Sequence, residues 1–435
     1  MPPIVTTSPI KPCRPPRSVG RTSTGLQIAS VIGLLLPLAA HADFAEDSQL
    51  NLGLRNFYLD RDFRGDTPPA SRVGSWSQGF DLRFLSGYTE GTLQFGLDAS
   101  AQYAYRLDGG SGRGPDTVLP FDDRKGEPVQ DYGRAALTAK VRYSKTELTI
   151  GEHRPTLPVA YSDDSRQLIS TFHGFQIASQ EIDGLSLTAG RFSEISTRES
   201  SNHEKMFLFT RPNGLRRPSD GLNFAGATYA LSPSLSATYF YGQLEDIYQQ
   251  HYLGIAHNAD LGDGFALKTD LRYFDNSEDG DALYGDIDNR SYGLISALRK
   301  GGHGFALGYQ RMLGDSAFPT LNGFSPQPYL VNWSAVAFIR PNESSWQARY
   351  TYNFAGLGLP GLSLMTRYIR GTGIDRGGDL SDTAESERDF FLSYSVQSGP
   401  LQGLGIEWRN INAKIQQGND YDENRLITTY TWKFW

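Results

Sequence analysis

Beyond residue 42, apolar residues recur at every second position in one stretch after another. In Leu404-Gly-Ile-Glu-Trp-Arg409, one parity holds Leu404, Ile406 and Trp408, and the other holds Gly405, Glu407 and Arg409. In Arg425–Trp435, one parity holds Leu426, Thr428, Tyr430, Trp432 and Phe434. Side chains of a strand alternate between its two faces, so each stretch predicts a strand with one greasy and one polar face. Eighteen such segments are legible, the first near 48–58 and the last near 425–435. Short turns, such as Ser86–Gly91, Ser144, Leu261-Gly262 and Lys300–Gly302, alternate with long polar connections rich in Gly, Pro and Asp. A soluble sandwich shares the alternation but has no reason to keep tight and long connections on opposite ends over nine hairpins. Strands of about ten residues with aromatic ends and this asymmetry predict an all-β fold, an 18-stranded antiparallel transmembrane β-barrel.

Two connections stand out. The third long loop, about 153–170, carries Pro155, Pro158, Asp163, Asp164 and Arg166. The seventh, about 314–344, carries Gly314-Asp315-Ser316 and then an apolar piece, Tyr329–Ile339. A solvated loop would not gather Leu330, Val331, Trp333, Val336 and Phe338, so this piece is expected to fold into the barrel mouth rather than to add a strand.

The N-terminal segment differs. Lys11, Arg14, Arg17 and Arg21 precede an apolar run, Ile28–Ala40, and an Ala40-His41-Ala42 cleavage pattern. Residues 1–42 therefore read as a cleaved secretory signal peptide, and 43–435 as a single barrel domain. The one cysteine, Cys13, lies in the leader, which leaves the remainder without disulfide or thiol chemistry. That remainder holds 37 Lys+Arg against 48 Asp+Glu, a net charge of −11, which argues against a nucleic-acid partner. No later stretch approaches the ~18 apolar residues of a spanning helix. A mean hydropathy of −0.42 beside 23 Tyr, 24 Phe and 47 Gly suits strands with one wet face.

Phasing each strand by its apolar parity places charges inside. Arg55, Arg83, Arg134, Lys140, Arg142, Lys268, Arg272, Arg349, Arg367, Arg409 and Arg425 fall on the polar parity. Once the barrel closes, segments 14, 15, 17, 18 and 1 are expected to set Arg349, Arg367, Arg409, Arg425 and Arg55 into one basic wall. Such a wall would guide an anion from site to site, because guanidinium groups stay charged and bind carboxylates bidentately. Asp81, Asp131, Asp315 and Glu407 are expected to pair with these arginines and hold them in place. Six histidines after the leader are scattered, and no Gly-x-Ser-x-Gly elbow occurs. No catalytic residue, metal site or cofactor is expected; a barrel hydrolase is the remote alternative.

These residues also resemble a family. Arg55-Asn-Phe-Tyr-Leu-Asp-Arg-Asp62, Gln78-Gly-Phe, Asp131-Tyr-Gly-Arg134, Ser144-Lys-Thr-Glu-Leu, Pro155-Thr-Leu-Pro-Val159, Glu181-Ile-Asp-Gly-Leu, Trp346-Gln-Ala-Arg-Tyr350 and Gln397-Ser-Gly-Pro400 stand in consistent order. Together they resemble the OprD-type substrate-specific porins of pseudomonads. The resemblance implies an eighteen-stranded barrel, a constriction formed by inward-folded loops 3 and 7, and diffusion of small carboxylate-bearing solutes. It carries eyelet roles onto Arg134, Arg166 and Asp315, and ladder roles onto Arg55, Arg367, Arg409 and Arg425. Glu407 departs from members with two arginines on the corresponding strand. Loop 3 is more similar to the benzoate-porin-like, aromatic-carboxylate group than to the alternative group that takes basic amino acids or peptides. The implied setting is the bacterial outer membrane, with its lipid and lipopolysaccharide, and a monomer or weak trimer. The aromatic C-terminal strand looks like the signal read by the barrel assembly machinery.

Overall fold

The structure is a computed structural model that describes residues 46–65, 71–209, 216–323, 326–416 and 418–435. The expected leader, 1–42, lies outside the described residues. Eighteen strands form the main sheet. The first nine are β1 (Gln49–Arg64), β2 (Arg72–Leu85), β3 (Leu93–Asp108), β4 (Asp131–Tyr143), β5 (Thr146–His153), β6 (Thr171–Ser179), β7 (Leu185–Ser196), β8 (Leu222–Ser232) and β9 (Leu235–Leu244). The second nine are β10 (Tyr248–Gly262), β11 (Phe265–Glu278), β12 (Asp288–Lys300), β13 (His303–Leu313), β14 (Ser344–Asn353), β15 (Leu362–Ile374), β16 (Thr383–Ser395), β17 (Gly405–Ile415) and β18 (Asp420–Lys433).

Each strand pairs antiparallel with its sequence neighbours, and β1 also pairs with β18, with Leu54 opposite Tyr430 and Arg55 opposite Thr429. The sheet is therefore closed. Closure satisfies every inter-strand N–H and C=O and leaves no edge, which is the condition for strands to cross lipid. Many strands outrun their expected boundaries; β1 continues from the expected Tyr58 to Arg64. Past the bilayer the greasy parity is no longer required, but the backbone ladder still is.

The turns explain the hairpins locally. Between β10 and β11 only Asp263-Gly264 intervene, both at positive φ (50° and 75°). This is the Asp-Gly pairing of a two-residue hairpin whose twist matches its strands. Ser144, at φ 52°, takes the same left-handed corner between β4 and β5.

The outward parity carries Leu137, Phe305, Leu307, Tyr309 and Trp346, all exposed; Leu307 is 70% accessible, as a lipid-facing side chain must be. The buried apolar residues lie inside. Phe192, Phe224, Phe240 and Phe274, all of inward parity, cluster with loop residues Phe318, Leu321, Leu330 and Ile339. Eighteen strands enclose a lumen too wide for strand side chains alone to fill, so loops complete the packing. Residues 329–339 form no strand. Val336 and Phe338 instead pack on Ile369, Ile411 and Ala413, which point into the lumen. Hydrogen bonds fix this segment: Gln310 Nε2 to Phe338 O (2.9 Å), Gln347 Nε2 to Val331 O (2.7 Å), and Val336 N to Glu387 Oε2 (2.5 Å).

Candidate functional site: a lumen in two chambers

Among the described residues, two large cavities lie along the lumen. The outer one, about 1390 Å³, is lined by loop residues and the upper strands, including Arg61, Arg166, Arg198, Arg340, Phe338 and Tyr421. The inner one, about 870 Å³, reaches Asn258 and Gly264 beside the tight β10–β11 turn, so it opens toward the opposite, short-turn end. Its walls carry Lys268, Arg272, Arg299, Arg349 and Arg367 from β11, β12, β14 and β15. Leu330, Val331 and Trp333 of the apolar loop segment line it too. The loop piece separates the chambers, with Val336 to Ile339 lining one and Leu330 to Trp333 the other.

The expected basic wall is present on the inward parity, with one correction. β16 stands between β15 and β17, and it turns Glu385, Glu387 and Asp389 inward among the arginines. The wall is consequently a mesh of ion pairs. Arg367 Nε donates to Asp389 Oδ2 at 2.7 Å. Arg409 pairs with Glu407 and lies 5.0 Å from the Phe391 ring. Glu423, fully buried, takes Arg61 Nε at 2.6 Å and also pairs with Arg425. Arg340 meets Glu385 at 3.1 Å. Among the described residues Arg55 is held without an ion pair, donating to Asp164 O (2.8 Å) and Arg166 O (2.6 Å) of the third long loop.

Arg349, Arg299 and Arg166 lack an ion pair among the described residues. Arg349 and Arg299 face the inner chamber in that state. Arg272 donates to Pro328 O at 2.7 Å and lies 3.9 Å from Asp270. Arg166, 8% exposed, has only neutral partners: Thr117 Oγ1 at 3.3 Å and Ser165 O at 3.1 Å. Burial, then the charges of Arg425 and Arg198, push the Arg166 guanidinium well below its ordinary value. A crowded cation of this kind gains most from an incoming anion.

Of the expected site residues, Arg166, Arg349 and Arg367 line the two chambers, whereas Arg55, Arg134, Arg142, Arg409, Arg425, Asp131 and Asp315 line neither. Asp131 is on the outer surface of β4, exposed, and accepts from the outward Tyr103 hydroxyl at 3.2 Å. It shares the parity of Leu137, so the same rule that sends Arg134 inward sends Asp131 out. Asp315 is exposed, beside the Ser316 contacts to Asp288, and lines neither chamber. Glu407, of the expected acids, does face an arginine, Arg409, and it is joined by Asp389 and Glu423, which were not expected. Arg134 points inward but lines neither chamber. Its guanidinium is capped by Thr197 O (2.8 Å), Ser200 O (2.7 Å) and Ile169 O, so it staples two loops together. Arg142 sits near the short-turn end, 3.8 Å from the Tyr88 ring and bonded to Gln94 Oε1 at 2.7 Å. Asp81 pairs with Arg154, which is outside the expected set of arginines, through two 2.7 Å bonds. Arg61, Arg299, Glu423 and the β16 acids were missed, although their parity relative to Leu54, Leu298, Leu426 and Phe390 places them inward.

A closed antiparallel barrel with a greasy exterior, tight turns at one end, long loops at the other and a charged lumen defines an outer-membrane channel. The chain belongs to the OprD family: residues 42–434 match the outer membrane porin, OprD family. It is similar to the crystal structure of Pseudomonas aeruginosa OpdL, with 49% identity, a TM-score of 0.80, and coverage of 90% of this chain and 100% of that one. It is similar to a BenF-like porin from Pseudomonas fluorescens Pf-5, at 40% identity and TM-score 0.86 with the same coverage. Pseudomonas aeruginosa OpdK, solved with vanillate, is 38% identical with a TM-score of 0.84, again over 90% of this chain and 100% of that one. This protein is an OprD-family porin of the bacterial outer membrane.

Proposed function

We propose that this porin passes small carboxylate-bearing solutes by passive diffusion, and that aromatic monocarboxylates such as benzoate are its preferred cargo. One observation carries the reading. The inner chamber sets Arg349 and Arg299, which have no ion pair among the described residues, in one cavity with Leu330, Val331 and Trp333. A carboxylate meets the cations while a ring meets the apolar loop surface, each contact worth up to ~1 kcal/mol. Weak repeated sites of that size release what they hold, whereas one deep site would trap it. The solute enters through Arg61, Arg166 and Arg198 of the outer chamber and passes Arg425, Arg409 and Arg367, with Arg55 holding the third long loop in place. The vanillate-bound OpdK structure supports the same cargo class. Segment 1–42 serves as a cleaved export signal, and β18 as the strand read by the barrel assembly machinery.

A channel for basic amino acids is the competing reading, favoured by the lumen acids Asp389, Glu407 and Glu423. Their carboxylates are already engaged by arginines, which argues against it. Uptake of labelled benzoate, arginine and a neutral sugar into liposomes holding the porin decides the matter. Benzoate should enter fastest. Faster arginine uptake overturns the cargo assignment, and equal uptake of the sugar overturns carboxylate selectivity.

A further inference from the structure

Outward-facing arginines near the loop end of the barrel are mostly neutralised by a neighbouring acid. Arg72 reaches Asp60 at 2.6 Å, Arg191 reaches Glu245 at 2.8 Å, Arg290 reaches Asp288 at 3.6 Å, and Arg64 pairs with Asp422. The sector from β13 to β17 breaks this pattern. Arg311, Arg370, Arg388 and Lys414 all take the outward parity there, and none has an ion pair among the described residues. Arg311 bonds the Ser344 hydroxyl, and Arg388 donates to Asn410 Oδ1 at 3.0 Å. The outward positions opposite and beside Arg311, Arg370 and Arg388 include Ser344, Thr372, Ser386 and Asn412, with no carboxylate; Lys414 lies nearer β18, where Asp422 faces Asn412 and pairs with Arg64.

Position gives these cations a partner. Arg370 lies opposite Trp346, and Arg388 opposite Tyr368, whose rings are 5.5 Å apart. Tyr309 and Trp408 continue the same aromatic row on β13 and β17. Such a row marks the edge of the hydrocarbon layer, so charges on its loop side stand at the depth of outer-leaflet headgroups. Directly below runs a groove of about 450 Å³ on the outer wall. Ala348 forms its floor between Leu307 and Tyr368, Tyr350 and Thr366 flank it, and Arg388 stands at its upper end. A narrow apolar groove ending at a guanidinium has the form of an acyl chain beneath an anionic headgroup.

We infer that the outer face of β13–β17 binds one phosphorylated glycolipid of the outer leaflet, of the lipid A class. Its phosphates rest on Arg370, Arg388 and Lys414, and one acyl chain lies in the groove over Ala348. Guanidinium groups grip phosphate bidentately, and here no protein acid competes for them. A second copy of this chain is the poorer occupant, since a two-fold contact would set this basic sector against itself. The inference rests on the outer-membrane location but not on the identity of the transported solute.

The test uses the full barrel in neutral detergent, titrated with bisphosphorylated lipid A, monophosphoryl lipid A and phosphatidylglycerol, with bound lipid read by native mass spectrometry. One lipid A should bind per barrel, tighter than the other two and less tightly as salt is raised. Arg370→Glu with Arg388→Glu should weaken it roughly thirtyfold. Ala348→Trp should weaken it with the charges intact. Liposome uptake should be unchanged in both variants, because these side chains point away from the lumen. Unaltered affinity in the double variant, salt-insensitive binding to the wild-type barrel, or phosphatidylglycerol bound as tightly as lipid A would each overturn the assignment. Dimers that form in place of lipid binding and vanish in the double variant would assign the face to a second copy instead.

Discussion

The two halves of the charged lumen use arginine differently. Along β15 to β18 and β1, Arg367, Arg409, Arg425 and Arg61 are clamped by Asp389, Glu407 and Glu423. In the inner chamber Arg349 and Arg299 have no such clamp among the described residues. A clamped arginine keeps its direction, but a neighbouring carboxylate has already taken most of its attraction for anions. An unclamped one holds its position less firmly and keeps its field. In the proposed reading, the clamped set defines the path and the unclamped set gives it its preference for negative charge.

The largest expected effect follows from removing the unclamped cations. A carboxylate passing within ~7 Å, at an effective dielectric constant of about 40, gains roughly 1 kcal/mol from each. Arg349→Ala with Arg299→Ala should therefore slow benzoate uptake by about thirtyfold at low solute concentration. Arg409→Ala removes a cation already matched by Glu407, so uptake should fall only about threefold. Equal losses in the two variants would erase the distinction between the halves.

The second effect concerns the loop that divides the chambers. Glu387 accepts from the Ser334 hydroxyl and from the amides of Ala335 (3.4 Å) and Val336 (2.5 Å). Glu387→Ala leaves those donors buried and unsatisfied, at a cost of about 1–3 kcal/mol for each. Single-channel recordings should show higher conductance and frequent switching, with the barrel still folded. Steady wild-type conductance would mean that Val336 and Phe338 alone seat the loop.

A third effect depends on pH. Glu343 ends the same loop, 1% exposed, with Arg340 N donating to it at 3.1 Å. Burial first, and the charge of Glu385 second, push its carboxyl up to about 8 from 4.5. The folded loop therefore keeps a proton that an unfolded one releases above about 4.5. Its contribution is complete below that value and is lost as pH rises through about 8. Hydrogen exchange at the Arg340 amide, corrected for intrinsic rate, should show protection falling over this range, and Glu343→Gln should flatten the dependence.

The smallest effect tests the clamp itself. Glu407→Gln keeps the shape of the side chain but frees Arg409, so anion preference should rise about twofold. A drop would show that the clamp is needed to aim Arg409 along the path.

Much of this architecture was legible because a barrel strand writes its two environments into alternate residues. Lipid demands Leu50, Leu52 and Leu54 on one parity, which leaves Arg55 no face but the lumen. The same rule placed Arg349, Arg367, Arg409 and Arg425. What it cannot convey is which inward charges meet. The pairing of Arg61 with Glu423 spans 362 positions, and that of Arg367 with Asp389 depends on strand register. Asp131 was misplaced by treating a motif as a role when its own parity sent it outside. Asp315 was misplaced because loops carry no periodicity to read. Arg134 was legible as inward, yet the carbonyls that occupy it come from connections whose course alternation does not record.

The most direct measurement is the zero-current potential of single channels in a planar bilayer under a salt gradient. It should be recorded for the wild-type porin, for Arg349→Ala with Arg299→Ala, and for Arg409→Ala. The account predicts an anion-selective wild type, selectivity close to neutral in the inner-chamber variant, and selectivity largely kept in Arg409→Ala. Neutral selectivity in Arg409→Ala together with wild-type selectivity in the inner-chamber variant would contradict it.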